Sequence, residues 1–193
     1  WLIKNDSRVT LVDTRKFEIP ISKYKNLTVK TGVDFSETAE SVEKFELIIP
    51  SASLSPYKKN KVNISNILRS AKNKGIKIRT EVDLFEIALR STKYEKKYQN
   101  LNRERSKVLA ITGTNGKTSV VNMLNHILTK CDLDVQLAGN VGLPLLEAII
   151  KREKLNKFPD VWVLELSSFQ LALTKRFNPL AACILNIAED HLD

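Results

Sequence analysis

Cysteine is scarce: the 193 residues contain two, Cys131 and Cys183, far apart and with no Cys-x-x-Cys pair or nearby histidine cluster. That spacing suggests neither a disulfide framework nor a structural zinc site, and it fits a reducing cytoplasm. Long apolar runs are missing too: none approaches the roughly 18 residues that a membrane span needs, so no membrane insertion is expected. Trp1-Leu2-Ile3-Lys4-Asn5-Asp6 meets charge too early for the apolar core of a signal peptide. There are no internal repeats and no low-complexity tracts. An initiator methionine is also absent, and His191-Leu192-Asp193 follow closely on an apolar segment, so the sequence reads as a piece cut at both ends.

Positive charge is plentiful. A formal net charge of +9 raises a nucleic-acid reading, because clustered Lys and Arg neutralise phosphates. The lysines are spread along the chain, however, and the densest stretch, Lys93-Tyr94-Glu95-Lys96-Lys97-Tyr98, suits a solvated linker. Nucleic acid is therefore not expected as a partner. A diffuse basic field instead attracts small anions such as nucleotides. A hydrophobic content of 42% allows one sizeable core or two small ones.

Strand-like and helix-like segments alternate. Arg8 to Asp13, Leu27 to Lys30, Phe45 to Ile49 and Ile76 to Ile78 read as strands. Ser36 reads as the cap of a helix from Glu37 to Lys44. Ile64, Ile67, Leu68 and Ala71 recur at helical spacing ahead of a stop at Gly75. Thr80-Glu81-Val82-Asp83 fits a capping-box start for a helix through Leu89. Residues 91–106 are charged and lack apolar periodicity, which reads as a linker or connecting helix. Lys107 to Thr112 is a strand running through a glycine-containing loop into a helix with Val120, Val121, Leu124, Ile127 and Leu128 on one face. His126 lies off that face and reads as a surface residue. Val135 to Ala138, Val161 to Leu166 and Ala181 to Ile187 read as further strands, and Gly142 to Ile150 as a helix. The expected class is α/β: a Rossmann-like domain over 1–90, a linker over 91–106, and an incomplete P-loop ATPase-type domain with a mainly parallel sheet over 107–193.

The sharpest motif is Gly113-Thr114-Asn115-Gly116-Lys117-Thr118, with Ser119 following, between a strand and a helix. Glycines let backbone amides turn around phosphate oxygens, the helix N-terminus adds positive potential, Lys117 neutralises charge and the Thr118 hydroxyl reaches magnesium. Its spacing is shorter than the usual Gly-x-x-x-x-Gly-Lys-Ser/Thr. Glu165 ends an apolar strand, where an unpaired carboxylate would cost several kcal/mol, so a cation or donor must be close. Magnesium on a bound nucleotide answers that need, and so does a local Arg, Lys or backbone amide. Asn186-Ile187-Ala188-Glu189-Asp190-His191 puts a histidine among carboxylates at another strand end, which fits either a ligand site or plain surface. Gly139-Asn140-Val141-Gly142-Leu143-Pro144 exposes backbone and an amide side chain before a helix.

In order, Ile111 to Thr118, Gly139-Asn140-Val141-Gly142, Glu165-Leu166-Ser167-Ser168-Phe169-Gln170-Leu171 and Asn186 to Asp193 resemble the central domain of the Mur ligases. The Leu-Ser-Ser-Phe-Gln block looks like the D-glutamate-adding branch; relatives that add other amino acids, and the folylpolyglutamate synthases, differ there. The resemblance implies an ATP-dependent ligase that joins D-glutamate to UDP-N-acetylmuramoyl-L-alanine through an acyl phosphate, in peptidoglycan precursor synthesis. It implies ATP and Mg2+ as cofactors, a cytoplasmic monomer, and these roles: Gly113, Thr114, Asn115, Gly116, Lys117, Thr118 and Ser119 around ATP, and Thr118, Glu165 and His191 on metal. Lys117, Glu165 and His191 are then the catalytic set, and Asp13, Thr14, Arg15, Asn140, Ser167 and Gln170 the substrate contacts. Asp13-Thr14-Arg15 matches a turn that lines the uridine nucleotide. The family usually has Ser-Pro-Gly where this chain has Ser51-Ala52-Ser53, and Gly where it has Thr80. Its glycine-rich diphosphate loop, carbamylated lysine and closing domain have no counterpart in these residues, so the piece alone is expected to be inactive. Another ligase of the superfamily, or a non-catalytic module binding nucleotide or nucleic acid, is the alternative.

Overall fold

The computed structural model describes residues 1–18, 24–35, 40–52, 54, 64–100 and 105–189. They form two compact units, 1–78 and 79–193. The first unit contains two parallel strand pairs. Strand β1 (Val9–Asp13) runs beside β2 (Leu27–Thr31), from Val9 opposite Leu27 to Asp13 opposite Thr31. Strand β3 (Leu47–Ile48) pairs with β4 (Lys77–Ile78), and helix α1 (Ser65–Asn73) precedes β4. Parallel neighbours need a crossover, and α1 supplies one by burying Ile67 and Ala71. Phe35, Val42, Ile64 and Ile67 form the core, with Val12, Ile48, Leu54 and Leu68 packed on it. The expected helix from Glu37 to Lys44, with its cap at Ser36, falls partly outside the described residues. Within them Val42–Lys44 is a single 3₁₀ turn. Ser53 is likewise outside.

The second unit begins at Arg79, ahead of the expected boundary at residue 90. Helix α2 (Glu81–Leu89) belongs to it, and so does α3 (Thr92–Asn100), in the stretch expected to be a linker or a connecting helix. Tyr94 and Tyr98, one helical turn apart, are both buried against Phe158, at 4.8 and 5.5 Å between ring centroids. Burial and the Glu153 carboxylate push the Tyr94 phenol up. Two buried aromatics are enough to dock a helix that is otherwise charged all round.

A four-stranded parallel sheet, ordered β6-β7-β5-β8, forms the centre of this unit: β5 (Lys107–Thr112), β6 (Val135–Gly139), β7 (Val161–Glu165) and β8 (Ala181–Ile184). Every residue of β7 is buried, as expected of a central parallel strand. Its side chains alternate. Val161 and Val163 join Ile111 and Val121 in a cluster beneath helix α4 (Lys117–Lys130), while Trp162 meets Phe85 of α2 edge-on at 5.1 Å. Helix α5 (Leu145–Lys154) starts after Gly142, where a helix had been expected, because Pro144 takes the extended N-cap position (φ −52°, ψ 146°). Ile127, expected on the packed face of α4, is 54% exposed beside β8, all four residues of which are exposed. An open apolar cleft of about 380 Å³ lies there, lined by Leu109, Met123, Ile127, Ala182 and Cys183 among others. No helix among the described residues is long and apolar enough to cross a membrane.

The expected capping box is present. Thr80 accepts from the Asp83 amide, and Asp83 Oδ2 accepts from the Thr80 amide and hydroxyl at 2.8 and 3.1 Å. Asp83 does more than cap: its Oδ1 accepts from the amides of Lys175 and Arg176 at 2.8 and 2.6 Å, tying the approach to β8 onto α2. Asp83 is fully buried. Asp83→Ala leaves these donors without their acceptor and should destabilise the second unit by about 3 kcal/mol in urea denaturation. A loss below about 1 kcal/mol would mean the turn is held by other contacts.

Candidate active site

Because the four strands are parallel, their carboxyl ends share one edge of the sheet. The register sets Ile111, Gly139 and Glu165 abreast on β5, β6 and β7. The segments 113–116, 140–144, 166–167 and 185–188 therefore emerge side by side, at the edge where open α/β sheets hold ligands. Three of the four motif blocks meet there, together with the start of the fourth.

The glycine loop forms as expected. Gly116 is left-handed (φ 82°) at the N-cap of α4, a conformation that a side chain would strain, and it turns the backbone into the helix. Lys117 folds back over the loop, its Nζ donating to the carbonyls of Gly113 and Thr114 at 2.7 and 2.9 Å. An ammonium held by two carbonyls stands ready to exchange them for phosphate oxygens. The first turn of α4 adds the positive end of a 14-residue helix.

Two-residue alternation continues from Val161 and Val163 to Glu165 and turns its carboxylate under the start of α4. There Oε2 accepts from the Thr118 hydroxyl at 2.9 Å, and Oε1 accepts from Asn140 Nδ2 at 2.8 Å. Glu165 is 1% exposed, and no ion pair reaches it among the described residues. Of the readings open for a buried carboxylate here, an Arg or Lys partner is thus not observed; neutral donors surround it. Backbone helps to hold it. The Asn140 amide donates to the Glu165 carbonyl at 2.8 Å, an approach possible because Gly139 has no side chain: a Cβ there would lie 2.2 Å from that carbonyl oxygen. Such a donor set, a carboxylate and a hydroxyl with no competing cation, fits a hard divalent ion like Mg2+, which takes few protein oxygens and keeps water or phosphate for the rest.

The other expected residues are placed differently. Ser167 and Gln170 form a second capping box around the short helix α6 (Ser168–Ala172): Ser167 Oγ accepts from the Gln170 amide at 3.2 Å, and Gln170 Oε1 accepts from the Ser167 amide at 2.9 Å. His191 lies outside the described residues. Asp13, Thr14 and Arg15 stand apart from this edge in sequence, at the carboxyl end of β1 in the first unit. Arg15 is bidentate on its neighbour, with Nε 3.1 Å from Asp13 Oδ1 and an Nη 2.8 Å from Oδ2. The sequence reading missed Asn186 as an individual site residue. Strand β8 ends at Ile184 instead of Ile187, and the chain then turns against the glycine loop. Asn186 Oδ1 accepts from the Asn115 amide at 2.9 Å, and its Nδ2 donates to the Asn115 carbonyl at 3.0 Å.

The Arg15 guanidinium and amide hold the Asp13 carboxyl down at about 2 from its ordinary 3.8. A depressed value means that the folded chain gains from this pair above the ordinary pKa, and the gain disappears as pH falls through about 2. In an NMR titration Arg15→Ala should raise the Asp13 value towards the ordinary carboxylate range without reaching it, because the residue-15 amide still donates to Oδ1. Gly139→Ala forces a methyl onto the Glu165 carbonyl at φ 108° and should cost about 3 kcal/mol of stability. A denaturation midpoint equal to the parent's would show that the β6–β7 edge yields freely.

The profile of the Mur ligase middle domain matches residues 111–193. Across its whole length the chain is 32% identical to the UDP-N-acetylmuramoylalanine–D-glutamate ligase of Nitrosomonas eutropha, covering 38% of that protein. It is 33% identical to that of Albidiferax ferrireducens, again over the whole chain and 37% of the relative. Over 88 residues, 46% of the chain and 19% of the relative, identity to the Chromobacterium violaceum ligase of the same name reaches 56%. The chain thus spans under two-fifths of the length of the N. eutropha and A. ferrireducens relatives. With the glycine loop, the Asn140–Glu165–Thr118 contact and the Ser167–Gln170 box on one sheet edge, and the whole of the chain aligned to part of each of these relatives, the chain belongs to the Mur ligase family.

Proposed function

We propose that the protein joins D-glutamate to UDP-N-acetylmuramoyl-L-alanine at the expense of ATP, as a cytoplasmic monomer making a peptidoglycan precursor. The observation that carries this reading is the buried Glu165 carboxylate, held by Thr118 and Asn140 beside a phosphate-binding loop. The names of the relatives support the choice of substrates.

In this reading the substrate's terminal carboxylate oxygen attacks the γ-phosphorus of ATP, the bond to the β-phosphate oxygen breaks, and an acyl phosphate and ADP result. The amine of D-glutamate then attacks the acyl carbon, loses a proton and expels phosphate to leave the amide. Lys117 turns from the Gly113 and Thr114 carbonyls to offset charge on the transferring phosphoryl, and the first amides of α4 receive the neighbouring oxygens. Thr118 and Glu165 hold Mg2+, with His191 as the ligand of a second ion. Bound there, magnesium supplies neutralisation of phosphate charge. Asn140 fixes the Glu165 carboxylate and lies at the edge where the muramoyl end arrives. Ser167 and Gln170 serve that end through the helix they cap. Thr14 and Arg15 hold the uridine end on the first unit. In the full-length protein ADP release should require both UDP-N-acetylmuramoyl-L-alanine and D-glutamate, while the 193-residue chain alone should bind ATP without turnover. Stimulation by a folate or by a later wall precursor in their place would assign the protein to another branch.

Glu165→Gln tests the metal role, because it keeps the shape and most hydrogen bonding while removing the charge. The rate should fall by about 10²–10³, with partial recovery at raised magnesium and a stability loss under about 1 kcal/mol. Early melting together with an unchanged magnesium requirement would make Glu165 a structural group.

A further inference from the structure

A run of hydrogen bonds joins the glycine loop to the segment after β8. The β5–β8 ladder ends with Thr112 opposite Ile184. Beyond it the Leu185 amide donates to the Thr112 carbonyl at 2.9 Å, and the Thr114 amide donates to the Asn186 carbonyl at 3.2 Å. The Thr114 hydroxyl donates to the Ala188 carbonyl at 3.2 Å and accepts from the Ala188 amide at 3.0 Å. Within this frame the Asn186 carboxamide pairs with both the N–H and the C=O of Asn115, as a neighbouring strand's peptide would. Gly113 keeps the two segments close, since a Cβ there would sit 3.2 Å from the Asn186 backbone.

This pairing has a chemical consequence. The amides of Thr114 and Asn115 are engaged by Asn186, whereas an anion needs amides that point into the cradle. Phosphate oxygens are left to the N–H groups around Gly116 and the first turn of α4, with the Lys117 ammonium. The loop is meanwhile held at Asn115 by a side chain whose carboxamide is fully engaged with that peptide.

We propose that Asn186 is a positioning residue for the phosphate loop, a peptide-mimicking clamp that fixes 113–116 in the shape that receives the triphosphate without touching it. This rests on the ATP reading of the same loop. The test uses the full-length protein, with MgATP and UDP-N-acetylmuramoyl-L-alanine titrated separately by calorimetry and amide exchange at Thr114 and Asn115 followed by NMR. Asn186→Ala should weaken MgATP about fivefold, leave the muramoyl substrate within twofold, and speed exchange at both amides, with the thermal midpoint near the parent's. Asn186→Asp keeps an acceptor for the Asn115 amide but opposes the Asn115 carbonyl with a carboxylate. It should preserve protection at Asn115 while weakening MgATP at least as much, which keeps the test decisive if the alanine variant folds poorly. Parent-like MgATP affinity in either folded variant overturns the proposal. So does equal loss for both ligands in step with a fallen midpoint, which would make Asn186 a general structural residue. Failure of the parent itself to bind MgATP would instead remove the ATP reading on which the proposal stands.

Discussion

A carboxylate out of water, with no ion-pair partner among the described residues, is the constraint around which the second unit is arranged. Glu165 lies at the end of the most buried strand, and a bare negative charge there would cost several kcal/mol. The chain offsets that cost with neutral donors brought from two other strand ends. Thr118 reaches it only because the glycine loop returns α4 over β7, and Asn140 only because Gly139 lets β6 close on the Glu165 backbone. Parallel register is what makes both possible, since it places these strand ends on the same edge.

A second buried carboxylate, Asp83, does comparable work away from that edge. It gathers a helix start and the turn leading to β8, so the outer strand is positioned from α2. Thr80 is the residue that shares the cap with it. Its hydroxyl caps the start of α2 and also meets the Thr174 hydroxyl at 2.8 Å.

Much of this was legible in the sequence wherever the signal is local. The apolar run from Val161 to Leu164 and the strand-loop-helix order around Gly113 are local features, and they fold as read. The cap at Thr80 and Asp83 follows from a four-residue pattern. The same pattern occurs in Ser167 and Gln170, and reading it would have shown that their side chains close on each other. Contacts between distant segments were not legible. Nothing near Asn186 in sequence says that its amide will pair with Asn115, and nothing in a charged stretch says that Tyr94 and Tyr98 will share Phe158. The boundary at Ile78 moved for the same reason, because α2 is claimed by Trp162 and by the Lys175–Arg176 turn, both remote from it along the chain.

Trp162 is fully buried between the sheet and α2, and its indole nitrogen finds no hydrogen-bond partner among the described residues. The sequence has one other tryptophan, Trp1, half-exposed in the first unit. Each unit thus carries its own fluorophore in a contrasting environment: a dry indole with short-wavelength emission in one, and a partly wetted indole with emission further to the red in the other. Spectral unmixing of intrinsic fluorescence can therefore follow the two units separately in the unlabelled chain, and replacing Trp1 by phenylalanine leaves a single optical reporter lodged in the wall of the four-stranded sheet.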